Sequence, residues 1–224
     1  MWENIKMKKK FKHLILTRFN YKEDYEYLDE RIKLFNKYTL PNVKNQTNQD
    51  FEWIFFSDKE LDINFENKFF VTLSKYKQYK KELEQEYEYL IETRLDNDDV
   101  ISLNFVNKIQ SYFKEFIDYQ DNFVIEPRGY RYDFRNDTFY EDKLYNMSFS
   151  SPFLSLVSKL GSDKYVFDFV HGQMCKEYPT YFIQEREWVQ MIHSSNKLMN
   201  KVSEEVIASR GIKCKEPGWF SKLK

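Results

Sequence analysis

Three apolar runs that each stop on polar or charged residues restrict the folds open to this chain more than any other feature. They are "HLILTRF" (13–19), "FEWIFFSD" (51–58) and "YLIETRL" (89–95), with "KFFVTLS" (68–74) as a shorter fourth. Near-continuous apolar runs of this length read as strands buried on both faces, as in parallel sheets covered by helices. Helical patterns lie between them. "DERIKLFNKY" (29–38) sets Ile32, Phe35 and Leu34 or Tyr38 on one face, with Asp29 favouring the helix dipole and Pro41 expected to end it. "KQYKKELEQEYEYL" (77–90) is a charged helix whose tail gives way to strand, and "SLNFVNKIQSYFKEFI" (102–117) carries a core stripe of Phe105, Ile109, Phe113 and Phe116. The order β-α-β, β-α-β, α predicts an α/β domain with a mainly parallel sheet and right-handed crossovers. In such sheets a ligand lies beyond the carboxyl ends of the strands.

The polar endings therefore matter: "TRFN", "SD" and "TRLDNDD" meet on one predicted edge. After Asn122 the pattern shifts to shorter strands. "NFVIEPRGYRYD" and "TFYEDKLYN" alternate around "FRND" as an antiparallel hairpin would, "SPFLSLVSK" and "EREWVQMIH" (185–193) read as further strands, and the segment with Gly211 and "EPGW" as an irregular tail. No repeat or Gly/Ser/Pro linker divides the 224 residues, so one domain is expected over 1–224, with a ligand-binding half about 11–120 and a second half about 121–224.

Charge and cysteine content remove whole classes of function. With 35 Lys plus Arg against 36 Asp plus Glu the net charge is −1, which disfavours a nucleic-acid binder; the basic run "KMKKKFK" (6–12) is local and reads as a solvated arm or an anionic contact. Cys175 and Cys214 provide neither a disulfide framework nor a CxxC metal pattern. No run approaches the ~18 apolar residues of a membrane span, and "HLILT" is too short for a signal peptide. A cytoplasmic protein is expected, with peripheral membrane contact open. There is no P-loop, G-x-G-x-x-G or Ser/His/Asp arrangement.

"RLDNDD" (94–99) carries the chemistry. Asp96, Asp98 and Asp99 repel one another unless a cation or a row of donors is near, and their hard oxygens suit Mg²⁺ or Mn²⁺ better than zinc. An EF-hand is excluded because Ile101 and Asn107 occupy its Gly and Glu positions. The same cluster can also cap the helix at 102–117, with Asp99 best placed for that role. Arg18 and Arg94 end two strands, and guanidinium forks match phosphate geometry; each can equally pair with neighbouring acids. His193 and His171 read either as structural residues or as late metal or phosphate ligands.

"HLILTRFN", "RIKLFNKYTLPNVKNQTNQDFEWIFFSD", "ETRLDNDDVI", "PRGYRY", "SPFLSLV" and "WVQMIHSSN" resemble, in order, the rhamnosyltransferase family of GT-A-type glycosyltransferases, over residues about 13–200. The phrase ending at Asp58 is also similar to that of family-2 glycosyltransferases. The resemblance implies a GT-A-like α/β sandwich that binds a nucleoside-diphosphate sugar. Asp96-Asn97-Asp98 would be its DxD motif, with Asp98 the principal metal ligand and His193 beside it. Thr17, Arg18, Asn20 and Asp58 would line the base and ribose pocket, and Arg94 the phosphates. Arg128, Tyr130, Arg131 and His171 would fall on the acceptor side.

The function so implied is metal-dependent transfer of a hexose or deoxyhexose, L-rhamnose among them, to a glycan or lipid-linked acceptor. For an inverting enzyme a carboxylate must take the acceptor's proton. Asp168 in "VFDFVHG" is the first candidate, with Glu187 and Glu185 next. Two alternatives use the same residues: a two-metal phosphatase or nuclease built on Asp96, Asp98 and Asp99, and a non-catalytic glycan-binding module that stacks sugars on its Tyr and Trp side chains.

Overall fold

The computed structural model describes residues 9–20, 28–57, 61–66, 68–142, 151–169, 171–193, 196, 207 and 211–221. The apolar runs form β1 (Lys9–Asn20), β2 (Glu52–Ser57), β3 (Lys68–Val71) and β4 (Tyr87–Arg94). They pair in parallel in the order β3-β2-β1-β4. Alternation along β1 sends Leu14 and Leu16 into one apolar layer and Ile15 and Phe19 into the other. The strand is therefore buried on both faces, as its unbroken hydrophobicity predicts.

Helices fill both layers. α1 (Leu28–Leu34), α2 (Leu40–Lys44) and α4 (Phe105–Phe116) lie on the Ile15 side, where Phe35, Val43, Phe105, Ile109 and Phe113 pack on Trp53 and Phe55. α3 (Leu73–Leu83) and α5 (His171–Glu177) cover the Leu14 side through Tyr76, Leu83 and Met174. The mixed α/β sheet flanked by helices is the architecture that the sequence and the resemblance led us to expect.

Four local expectations are corrected. The helix from 29 does not stop at Pro41: a π turn (Phe35–Thr39) joins α1 to α2, closed by the Leu40 N–H on the Phe35 carbonyl. Pro41 then stands in the first turn of α2, where its missing N–H is not needed, and the widened turn spares its ring the carbonyl clash of an unbroken α-helix. α4 starts at Phe105, not 102, because Val100–Ile101 form β5 against β9 and the Ser102 N–H bonds the Glu187 carbonyl at 2.6 Å. Asp99 is thus too far upstream to cap it. β6 (Phe123–Asp133) and β9 (Thr180–Ile192) are long strands, paired in parallel from Val124↔Thr180 to Asp133↔Ile192. The tail contributes an edge strand, β10 (Gly211–Cys214), on β7 (Thr138–Asp142), and buries Phe220.

β8 (Ser155–Lys159) runs antiparallel to both β4 and β6. β6, and β9 beside it, therefore run in the same direction as β4. The carboxyl ends of β1, β2, β4, β6 and β9 share one edge of the sheet, and β6 and β9 continue past it as a wall.

Candidate active site

The loop Leu95–Asp99 leaves β4 at this edge and is clamped from three sides. The Asn97 amide donates to the Phe19 carbonyl at 3.4 Å, and the Thr39 hydroxyl donates to the Asn97 carbonyl at 3.2 Å. The Asp99 Oδ1 accepts the Met191 N–H at 2.6 Å, tying the loop to β9. Alternate residues thus face opposite ways. Asn97 and Asp99 are buried and serve as struts, whereas Asp96 and Asp98 are only partly buried. Burial and the two neighbouring acids push the Asp99 carboxyl well above the usual carboxylate range.

Asp98 has two partners from the end of β9. Its Oδ2 lies 3.0 Å from His193 Nε2 and accepts from Asn196 Nδ2 at 3.1 Å. Asn196 in turn accepts the His193 N–H on its Oδ1 at 2.7 Å, which ties the two partners of the acid to each other. Asn196 was not singled out from the sequence; its spacing of three from His193 was the available signal.

On the other side of the loop two cations are forced together. The guanidinium carbons of Arg18 and Arg94 lie 4.5 Å and 4.6 Å from the centre of the Phe167 ring. Burial, and then the Arg18 charge, pull Arg94 down to about 10 against the opposing pull of Asp96, which leaves it charged at neutral pH. Burial and Asp98 raise the Asp96 carboxyl, while Arg94 and Arg18 hold it down; the net direction is up. Two guanidiniums on one ring beside closely set acids have both charges that a metal–diphosphate complex would satisfy. A cleft of about 190 Å³ opens here, lined by Arg18, Phe56, Leu73, Lys77, Tyr165, Phe167 and Asp168. Asp168 is exposed at its rim.

The remaining sequence candidates fall elsewhere. Thr17 is fully buried beneath the sheet, its hydroxyl accepting from the Trp53 indole at 2.9 Å, so it does not line a ribose pocket. Asn97, as a strut, faces inward. Glu187 is buried and ion-paired to Lys108 at 2.7 Å, with Ser102 as a second donor, and Lys108 also pairs with Glu185 at 3.0 Å. Lys108 holds the Glu185 carboxyl below its usual range. The pair of acids also sits four or more strand residues, roughly 13 Å, before Met191, where β9 meets Asp99. Ion-paired and distant, they are poor bases for chemistry at Asp98. Arg131 lies 6.0 Å from the Trp188 ring centre, and Tyr130 takes the Arg186 guanidinium at 5.7 Å; with Arg128 they follow β6 along the wall. His171 opens α5, but its side chain lies outside the described residues, as do the Asn20 side chain and Asp58.

Among the described residues no group of three or more His, Cys, Asp or Glu converges in metal-holding geometry. No helix among them is long and apolar enough to cross a membrane.

No curated protein matches the chain significantly. Solved structures resemble it at low identity. S. aureus TarS 1–349 in complex with UDP is 15% identical with a TM-score of 0.49, over 83% of this chain and 61% of that one. A protein from Desulfovibrio desulfuricans G20 described as "putative nucleotide-diphospho-sugar transferase" is 6% identical with a TM-score of 0.41, over 91% and 95%. The chain thus spans about 61% of the length of the TarS chain it matches. A family model matches residues 7–82 and 74–205, most of the sequence and all the strand ends at the site edge. The chain belongs to the family described as "putative rhamnosyl transferase".

Proposed function

We propose that this chain is a metal-dependent glycosyltransferase that moves a sugar from a nucleoside diphosphate to a hydroxyl of a glycan or lipid-linked acceptor, with inversion. L-rhamnose is the sugar its family description names. The observation that carries this reading is the meeting, at one sheet edge, of the Asp98–His193 pair, Asp96, and the Arg18 and Arg94 guanidiniums over Phe167.

The donor set fits Mn²⁺ or Mg²⁺. Asp96 and Asp98 would offer hard carboxylate oxygens, and His193, whose Nε2 lies 3.0 Å from Asp98, would offer that nitrogen to Mn²⁺ only in exchange for its contact with the acid. An ion held by one or two carboxylates completes its sphere with phosphate oxygens and needs no full protein cage. The same limited donor set argues against a two-metal phosphatase or nuclease, which needs further carboxylates. A metal held by Asp96 and Asp98 would supply charge neutralisation for the leaving diphosphate.

The other steps belong to the chain's own side chains. Arg18 and Arg94 bind the diphosphate oxygens, and Phe167 keeps both guanidiniums in place. Asn196 and His193 orient the Asp98 carboxylate. Asp168, exposed at the rim of the cleft, accepts the acceptor's hydroxyl proton as the new glycosidic bond forms and the bond from the sugar to the diphosphate breaks, its electron pair leaving with the phosphate. Arg128, Tyr130 and Arg131 on the wall contact the acceptor.

A screen of nucleoside-diphosphate sugars for slow hydrolysis, read by mass spectrometry with Mn²⁺ present, tests the proposal without an acceptor. Release of one sugar with its nucleoside diphosphate is expected. Stability of the whole donor panel, rhamnosyl donors included, contradicts it.

A further inference from the structure

Glu92 of β4 takes no part in the chemistry above, and it is fully buried. It lies two residues before Arg94 on the same face of the strand. One carboxylate oxygen accepts the Tyr76 hydroxyl from α3, and the other accepts the Val166 N–H at 3.2 Å. The Lys80 ammonium stands 3.5 Å from it and also donates to the Lys164 carbonyl. A single carboxylate thus joins both walls of the cleft: α3, which contributes Leu73 and Lys77, and segment 164–168, which contributes Tyr165, Phe167 and Asp168.

Around this anchor the aromatic rings interlock. Tyr76 contacts Phe56 and Tyr165 at 5.3 Å and 5.4 Å between ring centres, and Tyr165 contacts Phe167 at 5.3 Å. The Asp168 N–H closes a turn on the Tyr165 carbonyl at 3.0 Å. Moving Val166 would therefore move the ring on which Arg18 and Arg94 rest and the Asp168 carboxyl with it.

We propose that Glu92 is a positioning residue: it fixes segment 164–168 so that Phe167 holds the two arginines and Asp168 faces the cleft. This rests on the diphosphate-site reading, and two readouts separate them. The first is local: trypsin cleavage after Lys164, which needs the segment to detach. The second is the affinity for a nucleoside diphosphate with Mn²⁺, taken by calorimetry per binding-competent molecule, so that a lost folded fraction changes the stoichiometry and not the affinity.

Glu92→Ala is expected to cut at least tenfold faster after Lys164 and to bind at least fivefold more weakly. Glu92→Gln can accept from Val166 and donate to the Tyr76 oxygen, and should stay within about twofold of the natural chain in both. Lys80→Met removes the half-buried ammonium that pairs with Glu92 and leaves the carboxylate's bonds to Tyr76 and Val166 in place, so it should shift both readouts in the direction of Glu92→Ala by a smaller factor; it serves where Glu92→Ala does not fold. Faster cleavage with no diphosphate binding even by the natural chain leaves the anchor standing and removes the site reading. A folded Glu92→Ala or Lys80→Met protein with unchanged cleavage and affinity overturns the proposal.

Discussion

At the residue scale, side-chain direction decides which members of a motif can act. In "RLDNDD" alternation turns Asp96 and Asp98 toward the site and commits Asn97 and Asp99 to the framework. Orientation of Asp98 depends on Asn196, so Asn196→Ala is expected to weaken Mn²⁺-supported nucleotide binding about 10- to 100-fold, the usual range for partners that orient a metal ligand. Unchanged calorimetric affinity would remove Asn196 from the site. Asp168→Asn should lower kcat roughly 10²- to 10⁴-fold with little change in donor affinity, as loss of a general base does; equal kcat would send the search for the base elsewhere. Gly129 is set by packing alone. A Cβ there would fall 2.0 Å from the Trp188 ring, which is fully buried and held by its indole N–H on the Pro127 carbonyl at 2.9 Å. Gly129→Ala should cost about 3 kcal/mol and lower Tm by roughly 6–12 °C, measurable by calorimetric scanning.

At the element scale, β1 and β4 carry a polar group into the core on each face of the sheet. On the α4 side His13 is fully enclosed, with Nε2 2.8 Å from the Thr93 hydroxyl, which in turn meets Ser155 at 2.6 Å. Burial lowers the His13 pKa from 6.5 to about 3. The unfolded chain takes up this proton near pH 6.5 and the folded one does not. The stabilisation is therefore complete above pH 6.5 and is lost as pH falls toward 3, by about 1.4 kcal/mol per pH unit. Urea unfolding at pH 7.5, 6 and 5 should show a slope smaller by about that amount for His13→Gln, and equal slopes would contradict a buried neutral His13.

Strand existence was legible because hydrophobicity runs unbroken through β1, β2 and β4. What was not legible depended on pairing. Nothing local marks the π turn before Pro41, and the parallel match of β6 with β9 joins residues more than fifty apart. The start of α4 moved because Ser102 bonds β9, a contact with no trace in its own window.

At the scale of the whole molecule, the sheet gathers charges that no single segment brings together. Residue types at the strand ends could be read from the sequence, since "TRFN" and "TRLDNDD" close runs that must lie side by side. Their facing could not: Arg18 reaches the Phe167 ring while its neighbour Thr17 is buried against Trp53, a difference of one step in the pleat. Glu187 stood next after Asp168 among the candidate bases until the fold set Lys108 against it. The central claim is that this edge binds a nucleoside diphosphate through a metal held by Asp98. Calorimetric titration of the natural chain and of Asp98→Ala with UDP, dTDP and GDP, each with and without Mn²⁺, tests it most directly. The account predicts that one of the three binds the natural chain only when Mn²⁺ is present, and that Asp98→Ala loses this binding while remaining folded. Absence of metal-dependent binding for all three, or unchanged binding by Asp98→Ala, would contradict it.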